Sequence, residues 1–185
     1  MNDGFDQVVH SRVYLLTFST YGTRLHGDAR GTVDRSHNRA GQPLAGRDPD
    51  RAMKELLLLR FEPMLLVAAR RTIVTATVRE VCEHRDWSLL ALNVRTNHVH
   101  AVLAGLALPE KMMNDLKAYS TRRLIEAHEC EPGRRVWTRN GSARWLCSPR
   151  SVEAACRYVC EGQGEDLAGG GAQGLAAARS RCLRD

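Results

Sequence analysis

The stretch NHVHAVL, residues 97–103, carries two histidines one residue apart inside an otherwise apolar run. Alternate side chains of a β-strand point to the same face, so a strand here would place His98 and His100 side by side, in line with Val102. Two neighbouring imidazoles can hold one metal ion, and imidazole suits Mn, Zn, Ni or Cu better than Mg. A structural pair without a ligand is the alternative. A histidine triad would require a third histidine where Val102 stands.

The segments before this strand predict the elements that position it. WSLLALNV, residues 87–94, is separated from the histidine strand by the short polar turn RTN, which predicts an antiparallel hairpin. RVYLLTFSTYG, residues 12–22, predicts an earlier strand, and residues 23–50 predict a long loop. Residues 51–66 suggest a short helix followed by an extended piece. Residues 68–85 show helical periodicity with one buried face: Ile73, Val74, Thr77, Val78, Val81 and Cys82.

The segments after the strand predict two further helices. Pro109 begins a long helix, with Lys117, Arg122 and Arg123 off its apolar face as a basic patch. That face consists of Met113, Leu116, Tyr119 or Ser120, and Leu124. Within residues 131–147, Asn140-Gly141 is typical of a small hairpin. Ser148 as N-cap and Pro149 at the first position begin the last helix, which has one apolar stripe: Val152, Ala155, Cys156, Val159 and Cys160.

This order of elements predicts an α+β protein in which one antiparallel sheet carries helices mainly on one face. A single domain is expected over residues 1–164, followed by a flexible Gly- and Ala-rich tail over residues 165–185.

Composition restricts the class of protein and suggests its partner. The 185 residues carry a net charge of +6, and three of the 27 cationic side chains are lysines while the rest are arginines. Guanidinium groups make forked hydrogen bonds to phosphate, which favours a nucleic-acid partner; a GC-rich genome that favours Arg codons is the alternative. Six cysteines without a C-x-x-C pair argue against a zinc knuckle, and without a secretion signal they argue against a disulfide framework. Neither a membrane span nor a secretory signal is seen, so the cytoplasm is the expected location.

Three segments carry a resemblance to a known family. NHVHAVL after WSLLALNVRT resembles the HUH strand (His, hydrophobic, His) of single-tyrosine HUH transposases, a group that includes the REP-associated tyrosine transposases. TYGTRLHGDARG is similar to the N-terminal signature of this group, and VWTRNGSARWL followed by RYVCEGQG is similar to its C-terminal catalytic segment. The resemblance covers residues 12–164, and the three segments in this order are more specific than the histidine pair alone.

The resemblance implies a ferredoxin-like (RRM-like) fold and an enzyme that nicks and rejoins single-stranded, hairpin-bearing DNA. His98 and His100 would bind a divalent ion, Mg or Mn, without any nucleotide cofactor. Tyr158 would be the nucleophile, forming a 5′-phosphotyrosine link and releasing a 3′-hydroxyl, with Tyr119 as the alternative. The protein would act in DNA transposition or in processing repeated palindromes, associated with the bacterial nucleoid when bound to DNA. A regulatory hairpin-binding protein without catalysis and a metal-dependent hydrolase that uses water are the alternative functions.

The family pattern has a polar third ligand one helical turn after the tyrosine, where this chain has Gly162. Gln163 is the preferred candidate, because Gly162 permits the left-handed turn that ends helices, and Glu161 is the alternative. The resemblance leaves open whether the protein is a monomer or a homodimer that exchanges the tyrosine helix. The predicted DNA contacts, for which a solvated surface charge is the alternative, are Tyr21, Arg95, Asn97, Lys117, Arg122, Arg123, and Arg139 and Arg144 beside Trp137 and Trp145.

Overall fold

The computed structural model describes residues 11–28, 43 and 45–164, together with the backbone of 173–174. The predicted loop is therefore described only in part, and the predicted tail lies outside the described residues except for that one pair. The sheet is antiparallel, in the order β4-β1-β3-β2-β5. Its strands are β1 (Arg12–Ser19), β2 (Ser88–Val94), β3 (His98–Gly105), β4 (Ser142–Leu146) and β5 (Gln173–Gly174). The helices are α1 (Pro49–Leu57), α2 (Ala68–His84), α3 (Pro109–Glu126) and α4 (Pro149–Glu161).

The predicted hairpin around the histidine strand is confirmed. β2 pairs with β3, so that Asn93 lies opposite His100, and the Arg95 N–H donates to the His98 carbonyl at 2.8 Å across the turn. On its other side β3 pairs with β1, which places Thr17 opposite His100. The histidine strand is therefore the middle of the sheet and is held from both sides.

The two faces of the sheet carry different helices. Leu16 and Phe18 of β1 belong to the larger core, which includes buried residues of α2 and α3. Leu15 of β1 and Val102 of β3 face the other way and pack against Ala155, Cys156 and Val159 of α4. The helices thus lie mainly on one face, as predicted. Because β-strand side chains alternate, His98 and His100 share the α4 face with Val102.

Local signals determine where the helices begin. Ser148 Oγ accepts from the Ser151 N–H at 3.2 Å, and Ser151 Oγ accepts from the Ser148 N–H at 3.1 Å, so α4 starts with a reciprocal capping box followed by Pro149. α3 likewise begins at Pro109. In α2 the predicted face is buried except for Ile73, which is half-buried. No helix in the described ranges combines the length and apolarity needed to cross a bilayer.

The predicted hairpin at Asn140-Gly141 is wrong. The segments before and after this dipeptide do not pair with each other. β4, which follows it, pairs with β1, and Trp137, which precedes it, forms a bridge with Thr20 just after β1. Gly141 also lacks the positive φ that a type I′ turn requires. Its role is a close approach, because a Cβ on Gly141 would lie 2.6 Å from the Thr17 carbonyl oxygen.

Candidate active site

The imidazoles of His98 and His100 form a pair on the α4 face, with ring centroids 4.7 Å apart and ring planes at 78°. His98 Nδ1 lies 2.7 Å from Asn97 Oδ1, an oxygen that only accepts, so Nδ1 carries the proton. His100 Nδ1 lies 2.8 Å from Thr17 Oγ1. With both Nδ1 atoms engaged, a ligand of this pair would meet the Nε2 atoms.

The environment of His100 keeps its ring neutral. Burial of the ring, and next the nearby charge of His98, lower the pKa of His100 from 6.5 to about 4, with Arg95 adding to the decrease. A hydrogen bond with the Gln163 side chain acts in the opposite direction. A neutral imidazole is the form that binds a metal ion, so this ring is ready to ligate at neutral pH without losing a proton.

Tyr158 lies beside the histidine pair. Its ring centroid is 5.6 Å from that of His100, at an interplanar angle of 74°, and 48% of the residue is exposed. The next residue, Val159, is buried in the α4 face of the sheet. The tyrosine is thus held on a packed helix while its side chain faces the solvent next to the imidazoles.

Asn93, which was not among the residues predicted from the sequence, joins the tyrosine helix to the histidine strand. Its buried Nδ2 donates to the Val159 carbonyl at 2.9 Å, and Asn93 is the cross-strand neighbour of His100. Val159 lies in the last turn of α4, where carbonyls lack a helical N–H four residues later, so this bond supplies the missing donor and ties α4 to the sheet at the residue after Tyr158. The available signal was a single amide within the apolar run WSLLALNV.

Gln163 reaches the histidine pair after α4 ends. Gly162 caps the helix, with its N–H donating to the Tyr158 carbonyl at 2.9 Å. The Gln163 amide donates to the same carbonyl at 3.3 Å and lies close enough to His100 to act on its pKa. The cap is not left-handed as predicted, because Gly162 has φ −84°. Glycine is instead required by space, since a Cβ at this position would lie 2.9 Å from Tyr158 Cδ2. Glu161 is exposed, and the described residues contain no cluster of three His, Cys, Asp or Glu side chains that can hold a metal ion.

Lys117 is not part of a basic surface patch. Lys117 is buried. Its Nζ donates to the carbonyls of Thr138 and Asn140 at 3.1 Å each and lies 5.6 Å from the centroid of the Phe18 ring. Burial lowers the pKa of the Lys117 ammonium. The prediction that Lys117 lies off the apolar face is therefore wrong, because the long apolar stem of a lysine can pack in a core although its end is charged.

The other two cations of the predicted α3 patch are already engaged. Arg123 pairs with Glu80 at 3.0 Å and with Glu126 at 3.1 Å, so its charge is balanced on the surface. Arg122 lies over the ring of Tyr119 at 5.2 Å. Tyr119 packs against the larger core, which is on the opposite face of the sheet from the histidines. The structure therefore does not bring the alternative nucleophile to the imidazole pair.

The remaining predicted DNA contacts divide between the site and the core. Arg95 lies close enough to His100 to lower its pKa, and the Asn97 amide holds His98. Tyr21 is buried, and its hydroxyl oxygen accepts from the Arg60 N–H at 3.0 Å, so it does not offer a surface ring. Arg139 and Arg144 are both exposed.

Comparison with known proteins assigns the chain to a family. Residues 63–161, more than half of the chain, match the family described as "Transposase IS200 like", and the chain belongs to this family. It is a DNA-processing enzyme of the transposase class. No curated protein matches the sequence.

Two solved structures resemble the chain at low sequence identity. One is a REP-associated tyrosine transposase bound to a REP hairpin, with 9% identity over 86% of this chain and 70% of that one, and a TM-score of 0.46. The other is a proposed transposase from Deinococcus radiodurans R1, with 18% identity over 86% of this chain and 95% of that one, and a TM-score of 0.45.

Proposed function

We propose that the protein nicks single-stranded DNA and transfers the cut strand through a covalent link to Tyr158. The observation that carries the proposal is the 5.6 Å separation between the ring centroids of Tyr158 and His100, with Tyr158 about half-exposed beside that imidazole. Catalysis of phosphodiester transfer needs a nucleophile next to a group that neutralises phosphate charge. In this proposal Tyr158 is the nucleophile, and the histidine pair would bind the cation that neutralises the phosphate charge.

The donor set fits a divalent ion such as Mg or Mn. His98 and His100 are held through Nδ1, so each would bind an ion through Nε2, and the amide oxygen of Gln163, which interacts with the His100 ring, would turn to the ion as a third donor. An ion held by these three side chains would polarise the phosphate oxygens and orient the leaving group. Imidazole ligands favour Mn over Mg among these two ions.

In the proposed reaction Tyr158 Oη attacks the phosphorus of a phosphodiester, and its proton passes to water. The bond from phosphorus to the 3′ oxygen breaks, that oxygen takes up a proton, and the 5′ phosphate remains on the tyrosine. A later 3′-hydroxyl reverses these steps and rejoins DNA. Because the ester on Tyr158 conserves the bond, no nucleotide cofactor is required.

The proposed substrate is hairpin-bearing single-stranded DNA, as the resemblance to REP-associated tyrosine transposases implies. The site would bind DNA whose phosphates meet Arg95 at the turn before the histidine strand. A contact of this kind predicts affinity that falls as the salt concentration rises.

The test is covalent capture of hairpin oligonucleotides with single-stranded flanks, in Mn or Mg, resolved on a denaturing gel. We expect an adduct that Tyr158→Phe abolishes and that the matched control Tyr119→Phe retains, because Tyr119 lies on the other face of the sheet. An adduct that survives Tyr158→Phe would assign the nucleophile elsewhere. Cleavage without an adduct would indicate a hydrolase.

The second candidate function is hairpin binding without catalysis, in which the positively charged protein would bind DNA without cutting it. It predicts salt-sensitive hairpin binding that His98→Ala and His100→Ala leave unchanged, with no nicking. Loss of nicking in both variants, with hairpin affinity retained, would instead support catalysis.

A further inference from the structure

The edge of the sheet at β4 is strongly basic. Residues 132–152 contain five arginines and neither Asp nor Glu, which accounts for most of the net charge of +6. The ion pairs seen among the described residues involve other cations, at positions 70, 85, 111, 123 and 157. Arg144 in β4, Arg139 before it and Arg150 after it are exposed and take no part in these ion pairs. Such cations are complementary to a polyanion.

Trp145 stands in the middle of this basic segment. It is 63% exposed, whereas Trp87 and Trp137 are 7% exposed each. It lines an open groove of about 630 Å³ together with Arg12, Leu106 and Leu146. A large exposed indole between arginines is the combination that binds single-stranded nucleic acid, because bases stack on the ring while guanidinium groups meet the phosphates.

Strand pairing shows where the β4 edge lies relative to the histidine site. Ser142 lies opposite Thr17, and Thr17 lies opposite His100, so Arg144, two residues beyond Ser142, shares their face of the sheet. With strands about 4.8 Å apart and a rise of about 3.3 Å per residue, the backbone of Arg144 is roughly 12 Å from that of His100 and Trp145 roughly 14 Å. Trp145 lies opposite Tyr14, which packs in the larger core, so its side chain points to the other face of the sheet. A DNA strand that contacts both Arg144 and Trp145 therefore passes around the free edge of β4.

We propose that Trp145 stacks on an unpaired base of DNA that passes around the β4 edge, with Arg144 on a phosphate at the histidine face and Arg12, which shares the face of Trp145, on a phosphate beside the indole. The inference rests on the proposed function only in taking DNA as the substrate. Stacking on an indole tolerates any base, so this contact would add affinity for an unpaired flank without reading its sequence.

The test uses hairpin oligonucleotides with flanks of increasing length on either side, in EDTA so that no cutting occurs. Because the other two tryptophans are buried, quenching of intrinsic fluorescence on binding reports Trp145. We expect quenching by flanked hairpins only. Trp145→Leu should weaken binding of flanked hairpins about tenfold and leave blunt hairpins unaffected, while Trp145→Phe should retain most of the affinity.

Two further variants complete the test. Arg144→Gln should reduce the salt slope of flanked-hairpin binding by about one, whereas the control Leu57→Ala, another exposed apolar side chain, should change nothing. Equal affinity of Trp145→Leu and wild type for flanked hairpins would overturn the inference and leave the proposed function standing. A concentration-dependent dimer that Trp145→Leu dissociates would also overturn the inference, because the groove would then bind a second copy of the chain. Absence of any hairpin binding would overturn both proposals.

Discussion

The rings of His100 and Tyr158 lie 5.6 Å apart although one belongs to the middle of the sheet and the other to the last described helix. The small core under α4 and the Asn93 amide hold this arrangement. The first predictions concern Asn93 and Thr17, the two cross-strand neighbours of His100.

Asn93→Asp removes the N–H that binds the Val159 carbonyl and places a carboxylate against it. Leaving buried polar groups unpaired costs about 1–3 kcal/mol, so we expect α4 to detach more readily than the rest of the sheet. Amide exchange should accelerate in α4, and covalent capture of DNA should fall with it. Asn140→Asp, at an exposed amide, is the control. Unchanged exchange in α4 would show that Asn93 does not hold the helix.

Thr17→Val removes the hydroxyl that holds His100 Nδ1 and keeps the shape of the side chain. Groups that orient a metal-binding histidine typically contribute 10–100-fold in affinity, so we expect at least about a tenfold loss in Mn binding. Calorimetric titration of the metal-free protein measures it. Ser142→Ala, which removes a hydroxyl from the cross-strand neighbour of Thr17, should bind Mn as wild type does. Equal affinities for Thr17→Val and wild type would contradict the prediction.

Lys117→Met tests whether this cation is structural. The variant removes the ammonium that donates to the Thr138 carbonyl and one of the two donors to the Asn140 carbonyl, so we expect a loss of about 1–3 kcal/mol in the free energy of unfolding. The salt slope of hairpin binding should stay as it is, because the ammonium does not reach the solvent. Arg144→Gln should show the reverse pattern. A reduced salt slope in Lys117→Met would restore Lys117 as a phosphate contact.

The low pKa of His100 predicts acid sensitivity of the metal-free protein. The folded ring has a pKa of about 4 and the unfolded ring 6.5, so between these values the unfolded chain binds a proton that the folded chain does not. Stability is therefore complete above pH 6.5 and decreases as the pH falls toward 4, by on the order of 3 kcal/mol. Urea unfolding in EDTA at pH 7.5 and 4.5 measures this, with His100→Gln expected to lose less. Equal losses in both proteins would exclude His100 as the cause.

Much of the site's framework could be predicted from local patterns. The two-residue period of a strand places His98 and His100 on one face, and a short polar turn predicts the β2–β3 hairpin. Ser148 and Pro149 mark the start of α4 because capping depends on neighbouring residues only. Resemblance to a family, and not any local rule, singled out Tyr158.

Tertiary structure decided what depends on segments distant in the sequence. Asn140-Gly141 by itself predicts a turn. The segments on both sides of it instead pair with β1 and with Thr20 after it, so Gly141 lies close to the Thr17 backbone. The stem of Lys117 and the ring of Tyr21 were buried by neighbours that no window of sequence contains. Thr17 and Asn93 became neighbours of His100 only through strand pairing.

The sequence by itself therefore determined the elements and the shared face of the two histidines, since hydrogen bonding and side-chain alternation within a strand or helix are local. The docking of α4 over that face, and with it the distance from Tyr158 to His100, was decided by packing and one buried amide bond across the sheet.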